Sequence, residues 1–339
     1  MRVVTFGEIM LRLTPPDGLR LRQATSLGIT FGGAEANVAV SLAQFGVSAA
    51  FVTRLPENDL GDACLETLRH WGVDTAQIAR GGDRLGVYYL EMGAMQRGPR
   101  VIYDRAHSAF AQLKPGMIDW ASVFDGADWF HWSGITPALT PGTAAACLEA
   151  VHVARELGLT VSCDPNYRAS LWRWGQPPAA VLPDMARLCD VLIASEGDAQ
   201  LMLGLDWQAP PGDEVERFAS LCAALREHLP NLKCIATTFR ESHSASDNVL
   251  TGALWQGGGL YTGPRYELTH IVDRLGGGDA FMAGLIFGLL TRPDTPQYAL
   301  DFGLAAACLK HGIPGDFNVV SVEEVKRLLG GEAIGRVAR

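Results

Sequence analysis

Basic residues are scarce in this 339-residue sequence, with 28 lysines and arginines against 37 aspartates and glutamates. The formal net charge is −9 and no basic run occurs, so nucleic acid is not expected as a partner. Long apolar stretches are missing too. The longest candidate, Ala280 to Leu290, is shorter than the roughly 18 residues that cross a bilayer, so no membrane association is expected.

Paired cysteines are also absent. The seven cysteines are scattered, none forms a CxxC pair, and most lie in apolar runs. This is typical of reduced core thiols in a cytoplasmic protein. The first residues enter a strand-like run directly, so no signal peptide is expected, and we predict a soluble, cytoplasmic chain.

Two common nucleotide-binding motifs do not occur. Without a GxxxxGK[ST] motif the chain is not expected to be a P-loop NTPase. No GxGxxG follows the first strand, which argues against a dinucleotide-binding Rossmann domain. His131 and His243 show no metal-ligand spacing, so no direct metal site is predicted.

Short apolar, β-branched runs alternate with helical patterns through most of the chain. Buried strands between amphipathic helices are typical of a parallel sheet covered on both faces. The predicted strands are Val3–Phe6, Ala49–Thr53, Trp129–Trp132, Thr160–Cys163, Val191–Ala194 and Cys234–Thr237. The predicted helices are Ala36–Phe45, Gly61–Trp71, Pro141–Leu157, Glu196–Leu203, Val215–His228 and Gly278–Leu290.

Two segments, 11–35 and 84–111, interrupt this rhythm with alternating patterns and turn residues. They predict antiparallel strands that form a small sheet, a lid over one edge of the main sheet. The main domain would then comprise residues 1–10, 36–83 and 112–339, with a poorly ordered tail over 330–339. Exposed lid edges often pair between subunits, so a homo-oligomer is expected.

The strongest local motif runs from Asp273 to Asp279, after a strand-like segment at His270–Asp273 and before an apolar helix. Its glycines, Gly276, Gly277 and Gly278, allow several N–H groups and the positive end of the helix dipole to meet a phosphate oxyanion. Asp279 could accept a proton there, and the dipole favours its ionised form, so placement rather than a raised pKa would make it a base. The alternative is a plain glycine turn with Asp279 as a helix cap.

The Gly-Gly-Gly-Asp-Ala-Phe run, followed by Ala283-Gly284, resembles the C-terminal signature of the ribokinase-like (PfkB) carbohydrate kinases. The segment Phe31–Asn37, with its glycine pair, resembles the family's sugar-binding turn, although alone it could be a tight turn that caps a helix. The two motifs occur in the family's order, and the resemblance covers residues 2–328. It implies an α/β, ribokinase-like fold: three-layer α/β/α with a central mostly parallel sheet and a small β-sheet lid.

The resemblance also implies roles for the two turns. Asp279 would be the catalytic base, and the amides of Gly276, Gly277 and Gly278 would stabilise the phosphoryl group. Gly32, Gly33 and Asn37 would bind the sugar. ATP and Mg²⁺ are the implied cofactors, with a monovalent cation as a further candidate.

Several segments resemble the 2-keto-3-deoxygluconate kinase group within this family. They are Gly32–Asn37, His131–Thr136, Asp164–Trp172, Ile271–Asp279 and Gly312–Asn318. The implied substrate-binding residues are Tyr88, Tyr103, Arg105, Asp164, Asn166 and Arg168. A sugar acid carries a carboxylate that the two arginines could grip, although a lone lid arginine is more often a solvated charge and a strand tyrosine more often packing.

The family's nucleotide motifs are altered in this sequence. Ser195-Glu-Gly-Asp198 occupies the place of an N-x-x-E motif, so Glu196 or Asp198 would reach Mg²⁺ only through water. The 237–248 loop replaces a T-x-G-x-x-G segment, and Thr238 and Arg240 are its candidate nucleotide contacts, Arg240 being equally interpretable as a surface charge. With Ser195, Asp198, Gly276 and Gly278 they complete the predicted nucleotide site.

The expected reaction is ATP-dependent phosphorylation of 2-keto-3-deoxy-D-gluconate at its 6-hydroxyl. The alternatives are a fructokinase, a 2-keto-3-deoxygalactonate kinase, or a non-catalytic sugar sensor that kept the fold. Arg274, where the family usually has Thr or Pro nearby, is the clearest departure from the pattern.

Overall fold

The computed structural model describes residues 1–331, so most of the predicted tail over 330–339 lies outside the described residues. The strands within this range, in chain order, are β1 (Arg2–Phe6), β2 (Met10–Thr14), β3 (Gly28–Gly32), β4 (Ser48–Val52), β5 (Arg54–Leu55), β6 (Ala79–Arg80), β7 (Val87–Glu91), β8 (Arg100–Asp104), β9 (Trp129–Ser133), β10 (Thr160–Asp164), β11 (Val191–Ile193), β12 (Cys234–Ser242), β13 (Asn248–Gln256), β14 (Gly259–Thr262) and β15 (Tyr266–Leu268).

The helices in the same range are α1 (Ala34–Gln44), α2 (Asp59–His70), α3 (Trp120–Val123), α4 (Ile135–Leu139), α5 (Pro141–Glu156), α6 (Leu182–Ala186), α7 (Glu196–Leu201), α8 (Glu214–His228), α9 (Gly277–Thr291), α10 (Pro296–Lys310) and α11 (Val322–Leu329). None of these helices is long and apolar enough to cross a membrane.

The larger sheet has the strand order β14-β13-β12-β11-β10-β9-β1-β4, and β15 also pairs with β13. The six neighbouring strands β12, β11, β10, β9, β1 and β4 run parallel to one another. Strand β13 is antiparallel to β12, β14 and β15. The predicted mostly parallel central sheet is therefore confirmed.

Side chains alternate across the buried strands of this sheet, as the two-residue period of a strand requires. Val3 and Phe51 pack in one apolar layer with α1, α9 and α10. Their neighbours Val4 and Val52 pack in a second layer with α5 and α8. The sheet thus lies between two helical layers, which confirms the three-layer α/β/α architecture.

Helix α9 packs against α10 at close range because glycines lie at the contact. A Cβ atom on Gly284 would lie 2.7 Å from the Cα of Gly303, and one on Gly288 would lie 2.4 Å from the Cα of Ala299. Close packing of this kind leaves little freedom for either helix to shift. It fixes the N-terminus of α9, where the predicted phosphate turn lies.

The smaller sheet has the order β3-β2-β7-β8. Pairs β2–β3 and β7–β8 are antiparallel, as predicted, but β2 and β7 are parallel. The all-antiparallel prediction was wrong at this pair because each inserted segment forms its own antiparallel pair, and the two pairs join through strands of the same direction. The division into a kinase domain and a movable lid stays a prediction, as does the homo-oligomer.

Two local predictions were wrong. His270–Asp273 is not a strand, because the N–H groups of Val272 and Asp273 donate to the carbonyl of His311 rather than to a neighbouring strand. Strand β12 continues past Thr237 to Ser242 and pairs with β13 along its whole length, so the 237–248 loop is mostly a hairpin. All seven cysteines are free thiols, and six are buried, as predicted.

Candidate active site

A cavity of about 450 Å³ lies where the smaller sheet meets residues that follow β1 and β10 and the first turn of α9. Ligand sites of open α/β sheets occur at the carboxyl ends of their strands. The predicted site residues that line this cavity are Gly32, Gly33, Asn37, Tyr88, Tyr103, Arg105, Asp164, Asn166, Arg168, Thr238, Arg240, Gly276, Gly277, Gly278 and Asp279. Ser195 and Asp198 line an adjoining cavity of about 240 Å³, whose wall also includes Asp164 and Gly278.

The glycine turn has the form expected of an anion site. Gly276 adopts the left-handed conformation (φ 79°), and α9 begins immediately after it. The first N–H groups of a helix have no partner within the helix, so those of Gly277 and Gly278 remain available to a ligand. A Cβ on Gly276 would lie 2.0 Å from the carbonyl oxygen of Asp316, whereas one on Gly278 would meet no atom within 4 Å.

These two glycines give a matched pair of variants for protein stability. Gly276→Ala should lower the melting temperature clearly, because the new Cβ meets backbone in a conformation that costs about 1–2 kcal/mol for an L residue. Gly278→Ala should change it little, because the space is open. Thermal unfolding of both variants tests this, and equal melting temperatures would contradict it.

The side chain of Asp279 is hydrogen-bonded to Asn37 on α1, and not to its own helix α9. Asn37 Nδ2 donates to Asp279 Oδ2 at 2.6 Å, and no side-chain cap bond exists at the N-terminus of α9. The helix-cap alternative therefore lacks support. Burial raises the pKa of Asp279 to about 7, the Asn37 bond opposes this, and Asp316 and Glu35 add to it. The expectation that Asp279 would lack a raised pKa was wrong, because burial and the neighbouring carboxyls of Asp316 and Glu35 raise it.

A base with a pKa of about 7 predicts a pH-dependent activity. Below that pH Asp279 is protonated and cannot accept a proton, so kcat/KM should rise with pH through an apparent pKa of about 7. The pKa of Glu35 and that of Asp164 are also raised to about 7, chiefly by burial. The rise of kcat/KM with pH therefore reports the three carboxyls together and not Asp279 alone. A pH–rate profile tests this, with melting temperatures as a control for folding, and a flat profile through the acidic range would contradict it.

Glu8 and Glu35 are buried cavity residues that the sequence analysis missed. Glu35 Oε1 accepts from the hydroxyl of Ser133 at 2.6 Å. A Cβ on Gly7 would lie 2.0 Å from the carboxylate of Glu35, so glycine at this position lets Glu35 keep its bond to Ser133. Glu8 is the second residue after β1. Because ligand sites of such sheets lie at the carboxyl ends of strands, this position could have been predicted as a site residue.

The two arginines predicted to bind a carboxylate differ in their surroundings. The guanidinium of Arg105 is buried and pairs with Glu8, with an Nε–Oε2 distance of 2.7 Å. Its charge is therefore already balanced within the protein. Arg168 is exposed, its Nη1 donates to the carbonyl of Tyr167 at 3.0 Å, and it has no carboxylate partner within the described range. Arg168 is thus a cavity cation that an acidic ligand could reach, as are Arg240 and Arg274 on the same wall.

Two other residues predicted to bind the sugar already use polar groups in hydrogen bonds within the protein. The hydroxyl of Tyr88 donates to Asp316 at 2.7 Å and its ring is largely buried, but the residue lines the cavity, so its contact with the substrate stays a prediction. Asn37 bonds Asp279 and thereby orients the base. Tyr103 keeps 38% of its surface exposed and stacks beside Arg105, which leaves it able to cover a ligand.

The candidate Mg²⁺ residues are separated by the structure. Asp198 accepts bonds from the N–H and hydroxyl of Ser195 in a capping box and borders the cavity that Asp164 also lines. Glu196 instead pairs with Arg217 at 2.9 Å on another surface, which favours Asp198. Asp164 and Asp198 are close enough to raise the pKa of Asp164 further, so a divalent cation held through water would balance their charge.

Arg240 and Arg274 both face the main cavity. Arg240 Nη2 lies 3.1 Å from Nε2 of His311, whose Nδ1 lies 2.6 Å from the carbonyl oxygen of Ala307. Burial lowers the pKa of His311 to about 4, so its neutral ring donates from Nδ1 and accepts at Nε2 from Arg240. Arg274 lies beside Asn248 at the start of β13.

Comparison with known proteins decides the family. The model of the pfkB family of carbohydrate kinases matches residues 1–318. The chain belongs to this family. The protein is thus a PfkB sugar kinase with the ribokinase-like fold, a family that uses ATP and Mg²⁺.

Relatives of this PfkB kinase carry sugar-acid names. A 2-dehydro-3-deoxygalactonokinase from Haloferax volcanii is 37% identical over 98% of both chains. A 2-dehydro-3-deoxygluconokinase from Bacillus subtilis is 27% identical over 95% of this chain and 93% of its own length. A crystal structure of a 2-dehydro-3-deoxygluconokinase from Thermotoga maritima is 47% identical, covers 98% of this chain and 100% of its own, and has a TM-score of 0.92.

Proposed function

We propose that this PfkB kinase transfers the γ-phosphoryl group of ATP to the 6-hydroxyl of 2-keto-3-deoxy-D-gluconate, giving 2-keto-3-deoxy-6-phosphogluconate. The observation that carries the proposal is the placement of Arg168, without an ion-paired carboxylate among residues 1–331, on the cavity that also holds Asp279 and the glycine turn. A neutral sugar would offer this cation no carboxylate. A sugar acid supplies one.

Asp279 acts as the general base in this proposal. Its raised pKa lies near neutral pH, where a carboxylate both exists in ionised form and accepts a proton readily. Asn37 holds one carboxylate oxygen, so the other can face the substrate hydroxyl. The proton leaves the hydroxyl for Asp279 as the oxygen attacks the γ-phosphorus and the bond to the β-phosphate oxygen breaks.

The N-terminus of α9 stabilises the transferring group. The N–H groups of Gly277 and Gly278 and the positive end of the helix meet the charge that spreads over the phosphoryl oxygens. Arg240 and Thr238, on β12, line the same cavity and are the candidate nucleotide contacts. Asp164 and Asp198 would hold Mg²⁺ through water, and the ion would neutralise part of the phosphate charge.

A second candidate substrate is the galacto epimer. The relative from Haloferax volcanii bears the name 2-dehydro-3-deoxygalactonokinase, whereas those from Bacillus subtilis and Thermotoga maritima are named for the gluco form. The epimers differ in the direction of one hydroxyl and share the carboxylate that Arg168 would bind. The gluco form is preferred because the higher-identity crystal structure carries that name.

A substrate panel tests the proposal. ATP-dependent phosphorylation of 2-keto-3-deoxygluconate, its galacto epimer, fructose and ribose should give the highest kcat/KM for the gluco acid. Both acids should exceed the neutral sugars by about 10²-fold or more, because only the acids offer a carboxylate that the guanidinium of Arg168 can bind with charge-assisted hydrogen bonds. Preference for fructose would overturn the sugar-acid assignment. ATP and sugar binding without any phosphorylation would identify a sensor.

A further inference from the structure

A buried ion-pair cluster lies behind the phosphate turn. Arg12 on β2 is only 3% exposed. Its Nη1 donates to Asp316 Oδ1 at 2.6 Å, and its Nη2 donates to Asp273 Oδ2 at 2.5 Å. Two buried carboxylates close together need positive charge, since uncompensated buried charge costs several kcal/mol. One guanidinium leaves this pair with one negative charge in excess.

Lys310 supplies the second positive charge. It occupies the last turn of α10, is fully buried, and its Nζ donates to the carbonyl oxygen of Ile313 at 3.0 Å. Burial lowers the pKa of Lys310, while Asp273 and Asp316 act in the opposite direction. With Arg12 the cluster therefore balances two negative charges with two positive ones.

This cluster touches the phosphate turn directly. Asp273 precedes the turn, and its Oδ1 accepts from the N–H of Leu275 at 3.1 Å. The Cε atom of Lys310 lies 3.3 Å from the position that a Cβ on Gly276 would take, and the carbonyl of Asp316 lies at 2.0 Å from the same position. The ammonium thus holds the loop that Gly276 packs against.

A bound monovalent cation does not fit this arrangement. Such an ion would use the same kind of ligand, carboxylate and carbonyl oxygens, but Arg12 holds both carboxylates and Lys310 holds the carbonyl of Ile313. The protein supplies from its own chain the charge that an ion would bring.

We propose that the Lys310 ammonium is the fixed monovalent cation of the phosphate-binding turn, so that phosphoryl transfer by this protein needs no added K⁺, Na⁺ or NH₄⁺. Lys310 is a positioning residue: it acts through the 313–316 loop and through the positive potential beside Gly276. The inference rests on the proposed kinase activity, and its melting experiment below does not depend on which sugar is the substrate.

The wild-type protein provides the first experiment. Phosphorylation is measured with tetramethylammonium as the sole monovalent cation of the buffer and the nucleotide salt, then with K⁺ added. The rates with and without K⁺ should agree within about twofold, because the protein has no site that K⁺ would occupy. A rise of about tenfold or more on adding K⁺ would overturn the proposal.

Two variants of Lys310 give the second experiment. Lys310→Ala removes the charge and leaves space, so kcat in tetramethylammonium should fall about tenfold or more and recover at least threefold with K⁺ or NH₄⁺. Lys310→Met removes the charge but fills the space, so it should lose activity without recovery. Equal responses of the two variants to K⁺ would show that Lys310 only fills volume.

Melting temperatures supply a readout that does not involve catalysis. K⁺ should raise the melting temperature of Lys310→Ala and leave that of the wild type and Lys310→Met unchanged, relative to tetramethylammonium at the same ionic strength. A K⁺-dependent rise in the wild type would show that it has an ion site and would overturn the proposal. If no sugar is phosphorylated, the proposed function fails while this measurement still decides the inference. If Lys310→Ala does not fold, the rate and melting measurements on the wild-type protein decide the inference.

Discussion

Asp279→Asn is expected to reduce kcat by roughly 10²–10⁴, the range that a positioned general base contributes. The amide keeps an oxygen that can accept the bond from Asn37 Nδ2, so the geometry around the glycine turn should persist while the proton acceptor is lost. KM for ATP should change little, because the α9 amides are unaltered. Steady-state kinetics with the preferred sugar acid measure both quantities.

Asp301→Asn is the matched control for this variant. Asp301 is also an aspartate whose pKa is raised by burial, but it lies on α10, bonds Gln297 and does not line the main cavity. Its substitution should leave kcat unchanged. Near-normal turnover of Asp279→Asn would remove Asp279 from the role of base.

The stability of Asp279→Asn has a predicted sign as well. The pKa of Asp279 is raised from 3.8 to about 7, so the folded protein binds more protons than the unfolded chain between those values. The carboxylate therefore stabilises the fold least above pH 7. Its replacement by an amide should leave the melting temperature at alkaline pH equal to or higher than that of the wild type. A lower value would mean that lost activity reflects lost structure.

Local patterns in the sequence predicted the frame of this protein. Alternating apolar strands and amphipathic helices predicted the three-layer architecture, and the run from Gly276 to Asp279 predicted the glycine turn that begins α9. Each of these features depends on neighbouring residues. The segment His270–Asp273 was misread for the same reason. A short apolar run does not reveal that its N–H groups will meet the carbonyl of His311 instead of another strand.

The features that sequence reasoning missed depend on distant partners. Arg12 meets Asp273 and Asp316, which lie 261 and 304 positions away, so nothing near Arg12 in the chain distinguishes it from a surface charge. The raised pKa of Asp279 likewise arises from burial and from Asp316 and Glu35. Such properties follow from the assembled fold, and a local motif does not encode them.

Contacts with distant residues also distinguish the two arginines predicted to bind a carboxylate, Arg105 and Arg168. Arg105 is balanced by Glu8, so its removal would leave a buried carboxylate unpaired and would disturb folding together with binding. Within residues 1–331 Arg168 forms no ion pair with a carboxylate, so its removal should disturb folding little. Because its charge lowers the pKa of Asp279, kcat is measured beside KM. Arg168 is therefore the position at which a carboxylate on the substrate can be tested cleanly.

Arg168→Ala should raise KM for the sugar acid by roughly 30-fold to 10³-fold, corresponding to about 2–4 kcal/mol for a truncated charge pair. KM for a neutral sugar should change less than about threefold, and Arg168→Lys should restore part of the loss because it returns the charge without the planar fork. Arg173→Ala, an exposed arginine of the same segment that lines neither cavity, is the matched control and should behave as the wild type. Equal changes in KM for acid and neutral sugars would mean that Arg168 does not recognise a carboxylate.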